Sequence, residues 1–259
     1  LMRWPICRRL RTLKTSKMFL KASNAPEAFE KAFDLILSDG EPNENTQRVT
    51  GVLFEIVNPL DYASERWPKW RNWSQRYVEL EWQWYEAATR DPSMVEKVAK
   101  IWTGMKDENG EVNSNYGWQV QRAEQWSRCA HGLAESILSG AGTRKHVLTI
   151  YDGKEKLSYK YDTPCTVSFT FVLKRESTTK FRLDLHTHMR SNDVWFGLCN
   201  DLPAFALFQV KMVQSIQDKL IDLHNGQASN FRISVGRHMH FVDDLHLYNN
   251  FMNKKNENI

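Results

Sequence analysis

Cys165 follows Pro164 at the head of an alternating segment in which Val167, Phe169, Phe171 and Leu173 fall on one face. A cysteine so placed has two readings. It is a small core residue, since free cysteines are usually buried, or it is a nucleophile whose thiolate a nearby cation stabilises. Arg190 ends the next alternating segment, so a hairpin would bring its guanidinium to the thiol. Arg190-Ser191 and Thr143-Arg144-Lys145 offer the cations and hydroxyls that grip a phosphate, with Arg48, in a polar loop, as a third candidate. Each alone reads equally as a solvated basic surface. Asp201-Leu202-Pro203 stands where a long helix begins, a favoured place for an N-cap aspartate. His186/His188 and His238/His240 are i,i+2 pairs that on strands would point to one face, which makes a metal site a rival chemistry.

These residues need elements to carry them. Phe181, Leu183, Leu185, Thr187 and Met189 alternate with Arg182, Asp184, His186 and His188, the period of a half-buried strand. Further strands are expected at 52–57, stopped by Asn58-Pro59, at 146–151, at 166–174 and between 231 and 248. Helical spacing appears from Ala25 to near Gly40, over 73–87 with an aromatic face, over 123–138, and over 202–223 with Asn225-Gly226 as its cap. EPNENTQR and 106–118 read as loops, and no repeat is visible. Helices and strands mix without regular βαβ alternation. The expected class is therefore α+β, a mixed sheet flanked by helices.

The chain has 259 residues, 25% of them charged and 41% hydrophobic, the profile of an ordinary globular chain of one large domain or two small ones, and a single domain is expected over 18–259. A net charge of +4 suits an anionic small ligand as well as nucleic acid and proves neither, and no apolar run reaches transmembrane length; neither a membrane nor a direct nucleic-acid partner is expected. Cys7, Cys129, Cys165 and Cys199 are widely spaced, which favours a reducing, cytoplasmic compartment. Residues 1–17 carry six Lys/Arg and no acid, and read as a basic leader outside the fold. An organellar presequence or a nucleic-acid arm has the same composition.

Pro164-Cys165, Arg190-Ser191-Asn192-Asp193 with Gly197, and His246-Leu247-Tyr248 together resemble the thymidylate synthase family in order and spacing. Glu79-Leu80-Glu81-Trp82 resembles the helix that bears that family's catalytic glutamate, though on an amphipathic helix Glu79 also reads as solvent-facing charge. Ile101-Trp102 followed by Asn115-Tyr116-Gly117 resembles the next block, and the likeness runs from Phe29 to Tyr248. Met189 to Asp193 and Glu111 to Trp118 are similar to the phage deoxycytidylate hydroxymethylase branch. Synthases usually have glutamine at Met189 and asparagine at Asp201. The segment from Gly226 to Met239 looks inserted, and the sequence stops at Ile259 where synthases continue into a tail that covers the folate: either further residues follow, or folate is covered differently.

The resemblance implies a sheet-to-sheet homodimer that acts on a pyrimidine nucleoside monophosphate with 5,10-methylenetetrahydrofolate and no metal. It implies that the Cys165 thiolate adds to C6 of the base, so that C5 attacks the one-carbon unit. Arg190 and Ser191, with Arg144 and Lys145 of the partner subunit, would hold the phosphate, and His246 and Tyr248 the sugar. Asp193, Gly197 and Trp102 would lie on the folate side, and Glu79 would relay protons. Asp201 would read the base as cytosine: a carboxylate accepts from the N4 amino group, whereas asparagine suits uracil. The product expected on this branch is 5-hydroxymethyl-dCMP, in a phage-infected bacterial host. Methyl transfer to dUMP or dCMP, or a non-catalytic nucleotide-binding relative, are the alternatives.

Overall fold

The computed structural model describes residues 18–140, 144–152, 162–223 and 230–257. The basic leader, Thr143 and the expected Asn225-Gly226 cap lie outside them. Strands β1 (Phe19–Ala22), β2 (Glu41–Asn43), β3 (Thr46–Ile56), β4 (Val147–Thr149), β5 (Thr166–Arg175), β6 (Lys180–Met189), β7 (Asn192–Asp193) and β8 (Arg232–Tyr248) form one sheet. Its order is β1-β3-β8-β6-β5-β4, with β2 on β3 and β7 on β8. β8 runs antiparallel to β3 and parallel to β6, so the sheet is mixed, as expected.

The alternation in β6 decides what the sheet faces. Phe181, Leu183, Leu185, Thr187 and Met189 are buried. Phe169, Phe171, Leu183 and Leu185 meet α5 (Gln125–Ser139) through Trp126, Leu133 and Ile137, and α6 (Cys199–Leu223) through Phe205, Phe208 and Met212. A second core joins Val52, Phe54, Ile56 and Val242 to Phe29, Phe33 and Ile36 of α1 (Ala25–Asp39). Trp67, Trp70 and Trp195 pack around Phe29 within 6.3 Å between ring centroids. On the other face of the sheet Leu53, Met239 and Phe241 are half-buried and belong to neither core.

Two expectations change, and a third segment acquires its structure. Residues 41–48 form a hairpin, not a loop: Asn43 pairs with Thr46 across a two-residue turn, and Arg48 lies in β3. Short polar strands around a turn carry no hydrophobic period to reveal them. Residues 232–239, which look inserted relative to the family, form the first half of β8. α6 begins at Cys199, running on from a π-helical turn at Val194–Leu198.

Gly117, in α4 (Tyr116–Gln121), lies against α2 (Gln75–Ala87) so closely that a Cβ would overlap the Tyr85 carbonyl. Asn115 caps α4, accepting from the Trp118 N–H at 2.7 Å, and donates to the Trp84 carbonyl at 2.7 Å. Gly117→Ala should therefore force the two helices apart. The expected loss is about 3 kcal/mol, or roughly 6–12 °C in Tm by differential scanning calorimetry.

Candidate active site

Cys165 lies just ahead of β5 and Arg190 just beyond β6, and the hairpin closes one on the other. The Arg190 backbone N–H donates to the Cys165 carbonyl at 2.9 Å. Its guanidinium donates to the carbonyls of Thr163 (2.8 Å) and Pro164 (3.1 Å) and lies 3.8 Å from Cys165 Sγ. The expected contact exists, but its electrostatic outcome is reversed. Burial, together with the carboxyl groups of Asp201, Asp162 and Asp193, outweighs Arg190 and pushes the Cys165 thiol up to about 11. The resting nucleophile is a thiol. Its ionisation requires another cation, or neutralisation of a neighbouring carboxylate.

Beyond Arg190 the chain pairs with β8 through β7 and enters the π-helical turn. Asp193 caps that turn, its Oδ1 accepting from the Phe196 backbone N–H. Its Oδ2 is buried without a hydrogen-bond partner, 4.0 Å from His246 Nε2, and burial raises the pKa of this carboxyl. Asp201 is not a cap, because α6 starts two residues earlier. Its Oδ2 accepts from Asn192 Nδ2 at 2.7 Å. Burial lifts Asp201 to about 6 against the opposing effect of that bond. Gly197, expected on the folate side, lies against this pair: a Cβ would sit 2.7 Å from Asn192 Nδ2 and 3.2 Å from Asp201 Oδ2.

Glu79 is exposed and accepts from Gln75 Nε2 at 2.9 Å; no described contact links it to Cys165. The carboxyl that α2 turns inward is Glu81, two residues on and 5% exposed. Tyr77 Oη donates to Glu81 Oε1 at 3.0 Å, and Trp102 Nε1 donates to Tyr77 Oη at 3.1 Å. Trp102 thus holds the residue that holds Glu81. Burial, then the charge of Asp201, pushes Glu81 up to about 8. Glu79, the residue expected to relay protons, thus lies on the exposed side of α2, and Glu81 is a second candidate that the sequence reading did not single out. The signal was the helix phase: Val78, Glu81 and Tyr85 fall on one buried stripe, and Glu79 does not.

His246 stands opposite Arg48 across β3 and β8, its Nδ1 3.4 Å from Ser191 Oγ and 3.4 Å from Asp244 Oδ1. Arg48 pairs with Asp244 at 3.1 Å, which commits the charge expected for phosphate. The rings of His246 and Tyr248 meet edge to face at 5.8 Å. Tyr248 also lines a cleft of about 570 Å³ with Asn45, Ile101, Phe196 and Phe251. Ile101 and Phe196 are 55% and 54% exposed there, an apolar lining, and the turn that carries Phe196 is capped by Asp193, whose Oδ2 is unpartnered. A flat aromatic group with an N–H donor at its edge fits that combination. Arg144 and Lys145 are exposed ahead of β4, the sheet edge, and no described contact brings either to Cys165.

The two histidine pairs point to opposite faces. Thr187 stands opposite His240 in register, and His240 and His238 are buried, whereas His186 is exposed and His188 pairs with Asp243 at 2.8 Å. Among the described residues no group of three or more His, Cys, Asp or Glu is placed to hold a metal. No described helix is long and apolar enough to cross a membrane.

One thiol, one arginine and three raised carboxyl groups therefore converge at the strand ends. They can deliver a nucleophile and donate or accept protons near neutral pH. A sequence model described as thymidylate synthase matches residues 27–259. The chain is 24% identical over 180 residues to deoxycytidylate 5-hydroxymethyltransferase of Enterobacteria phage T4, covering 68% of each. Its phage T6 counterpart is likewise 24% identical over 181 residues, 68% of each. A thymidylate synthase of Lactococcus lactis subsp. cremoris is 23% identical over 181 residues, 69% of this chain and 58% of that protein.

The protonation of Glu81 is open to direct test. Its folded pKa, about 8, lies above the unfolded value near 4.5, so the stability it contributes is complete below pH 4.5 and lost as pH rises through 8. Glu81→Gln cannot titrate. Relative to wild type its unfolding free energy should improve by on the order of 3 kcal/mol between pH 4.5 and pH 8, read from urea curves. Parallel pH profiles for the two proteins would show Glu81 to be ionised throughout.

Proposed function

The chain belongs to the thymidylate synthase family, and from that premise we propose that it is a deoxycytidylate 5-hydroxymethyltransferase. A one-carbon transferase of this family is the broader statement that the relatives support. The observation that carries the narrower one is Asp201, a carboxyl held 2.7 Å from Asn192 Nδ2 and electrostatically coupled to Cys165. Facing cytosine, its carboxylate accepts from the N4 amino group. Facing uracil O4, it sets acceptor against acceptor, a penalty of about 1–3 kcal/mol or more for a charged group.

The chain's own residues divide the remaining work. Arg190 and Ser191 take the nucleotide phosphate, and His246 and Tyr248 the sugar hydroxyl. The base's amino group, donating to Asp201, offsets a charge that holds the Cys165 thiol un-ionised, so substrate binding promotes the thiolate that attacks C6. Bound 5,10-methylenetetrahydrofolate supplies the one-carbon unit to C5, with Asp193 Oδ2 and the Phe196–Ile101 lining as the residues that suit its ring system. Glu81, not Glu79, is the proton-carrying glutamate, poised by a pKa of about 8 and fixed through Tyr77. Addition of water in place of hydride is supported by the phage relatives and by Asn113-Ser114-Asn115-Tyr116-Gly117-Trp118.

A uracil substrate is the second reading, and the Asp201 value of about 6 favours it in acid. Protonated, the carboxyl both donates and accepts, as asparagine does. We further propose a homodimer through the sheet face that carries Leu53, Met239 and Phe241. There the exposed Arg144 and Lys145 of the partner subunit would complete the phosphate site.

Mass analysis of products from dCMP and dUMP with methylenetetrahydrofolate should give hydroxymethyl-dCMP without stoichiometric dihydrofolate. Cys165→Ala should abolish turnover, and Asp201→Asn should move the dCMP/dUMP ratio of kcat/KM towards dUMP by roughly 100-fold. A methylated product with dihydrofolate, or a ratio untouched by Asp201→Asn, would refute the assignment. Phe241→Asp should yield a monomer by light scattering and raise nucleotide KM at least tenfold, roughly one charge-assisted contact; a wild-type monomer would dispose of the dimer.

A further inference from the structure

Behind Asp201 the hydrogen bonding does not stop at Asn192. Asn192 Oδ1 lies 3.1 Å from His240 Nε2, His240 Nδ1 lies 2.6 Å from Thr187 Oγ1, and Thr187 Oγ1 lies 2.9 Å from His238 Nε2. All four residues are buried, from 0% to 3% exposed, and the rings of Phe205 and Phe54 lie 6.0 Å from the His240 ring. At the far end His238 Nδ1 has no partner. We propose that His238, Thr187 and His240 are positioning residues that fix the direction of this chain, and thereby hold Asp201 as a hydrogen-bond acceptor for its substrate base.

The direction follows from the dead end. Neutral His238 carries its proton either on Nε2, leaving a bare lone pair at Nδ1, or on Nδ1, leaving a buried donor without a partner. Unpaired buried N–H groups are rarer in proteins than under-satisfied acceptors, so the proton sits on Nε2. His238 then donates to Thr187 Oγ1, and the hydroxyl must donate onward to His240 Nδ1. His240 therefore carries its proton on Nε2 and gives it to Asn192 Oδ1. That fixes the amide, whose Nδ2 faces Asp201 as a donor. Reversal would need a stranded N–H at His238, a flipped Asn192 amide and a protonated Asp201, all at once. Burial depresses both imidazoles, His240 to about 3, so neither becomes a double donor near neutral pH. The chain thus disfavours the protonated, asparagine-like form of Asp201 that would accept uracil.

This inference rests on the proposed role of Asp201, and its test separates the two. Long-range 1H–15N correlation spectra of histidine-labelled protein should show His238 and His240 neutral and protonated on Nε2, whatever the enzyme's activity. Thr187→Val cuts the chain; His240 should lose its bias, and the dCMP/dUMP ratio of kcat/KM should fall about tenfold, the size of one hydrogen-bond preference. Thr187→Ser keeps the hydroxyl and should retain both tautomers and ratio. It is also the control should the valine variant fail to unfold cooperatively. An Nδ1–H or charged His238 in wild type overturns the proposal. So does a Thr187→Val ratio equal to wild type when Asp201→Asn collapses it. If Asp201→Asn leaves the ratio unchanged while both histidines are Nε2–H, the reading of Asp201 falls, the link to base preference falls with it, and the fixed direction stands on the spectra.

Discussion

Desolvation of acidic groups at one end of the sheet is the constraint from which the site's behaviour follows. Glu81, Asp193, Asp201 and the Cys165 thiol all have their neutral forms favoured by burial. Only Arg190 opposes this at the thiol, and part of its hydrogen-bonding capacity goes to two backbone carbonyls. Charge is therefore scarce where the chemistry needs it, and each group's ionisation depends on its neighbours. In the proposed reaction the nucleotide enters that balance as a participant. Its hydrogen bonds decide which acids give up their protons.

The scaffold supplies this crowding through two short connections and one long strand. The β5/β6 hairpin brings Cys165 to Arg190, and the π-helical turn bends the chain so that Asn192 and Asp201 meet over Gly197. β8 carries His238, His240, Asp244, His246 and Tyr248 along one rail, between the strands that hold Arg48 and Thr187. α2 adds Glu81 from outside the sheet, fixed by Tyr77 and Trp102.

Much of this was legible in the sequence, and the failures have specific causes. Period-two alternation is local, so β6 and its pairing with β5 were readable, and with them the meeting of Cys165 and Arg190. The glutamate was ambiguous because a glutamate three residues before a tryptophan occurs twice, at Glu79–Trp82 and Glu81–Trp84. Only the phase of the buried stripe on α2 separates them. The capping role given to Asp201 failed because a π-helical turn extends the helix backwards and has no compositional mark. Arg48 was misread because a hairpin of polar residues looks like a loop. The reversed acidity of Cys165 lay beyond any motif: it arises from carboxyl groups brought near by folding, at sequence distances that carry no pattern.

The position of β8 has a consequence for how the chain comes off the ribosome. Among the described residues it is the last strand in chain order but an inner strand of the sheet, and its contact with β3 joins residues 196 positions apart. Until β8 has been synthesised, β3 and β6 each present an unpaired edge backed by Phe54, Leu183 and Leu185, the kind of edge that recruits other chains. Such long-range closure is slow. The nascent protein therefore passes through an interval, set by the translation time of α6 and β8, in which its two half-sheets are exposed to mispairing. Chaperone dependence and poor yield at high expression rates are the natural companions of an inner strand that is made after both of its neighbours.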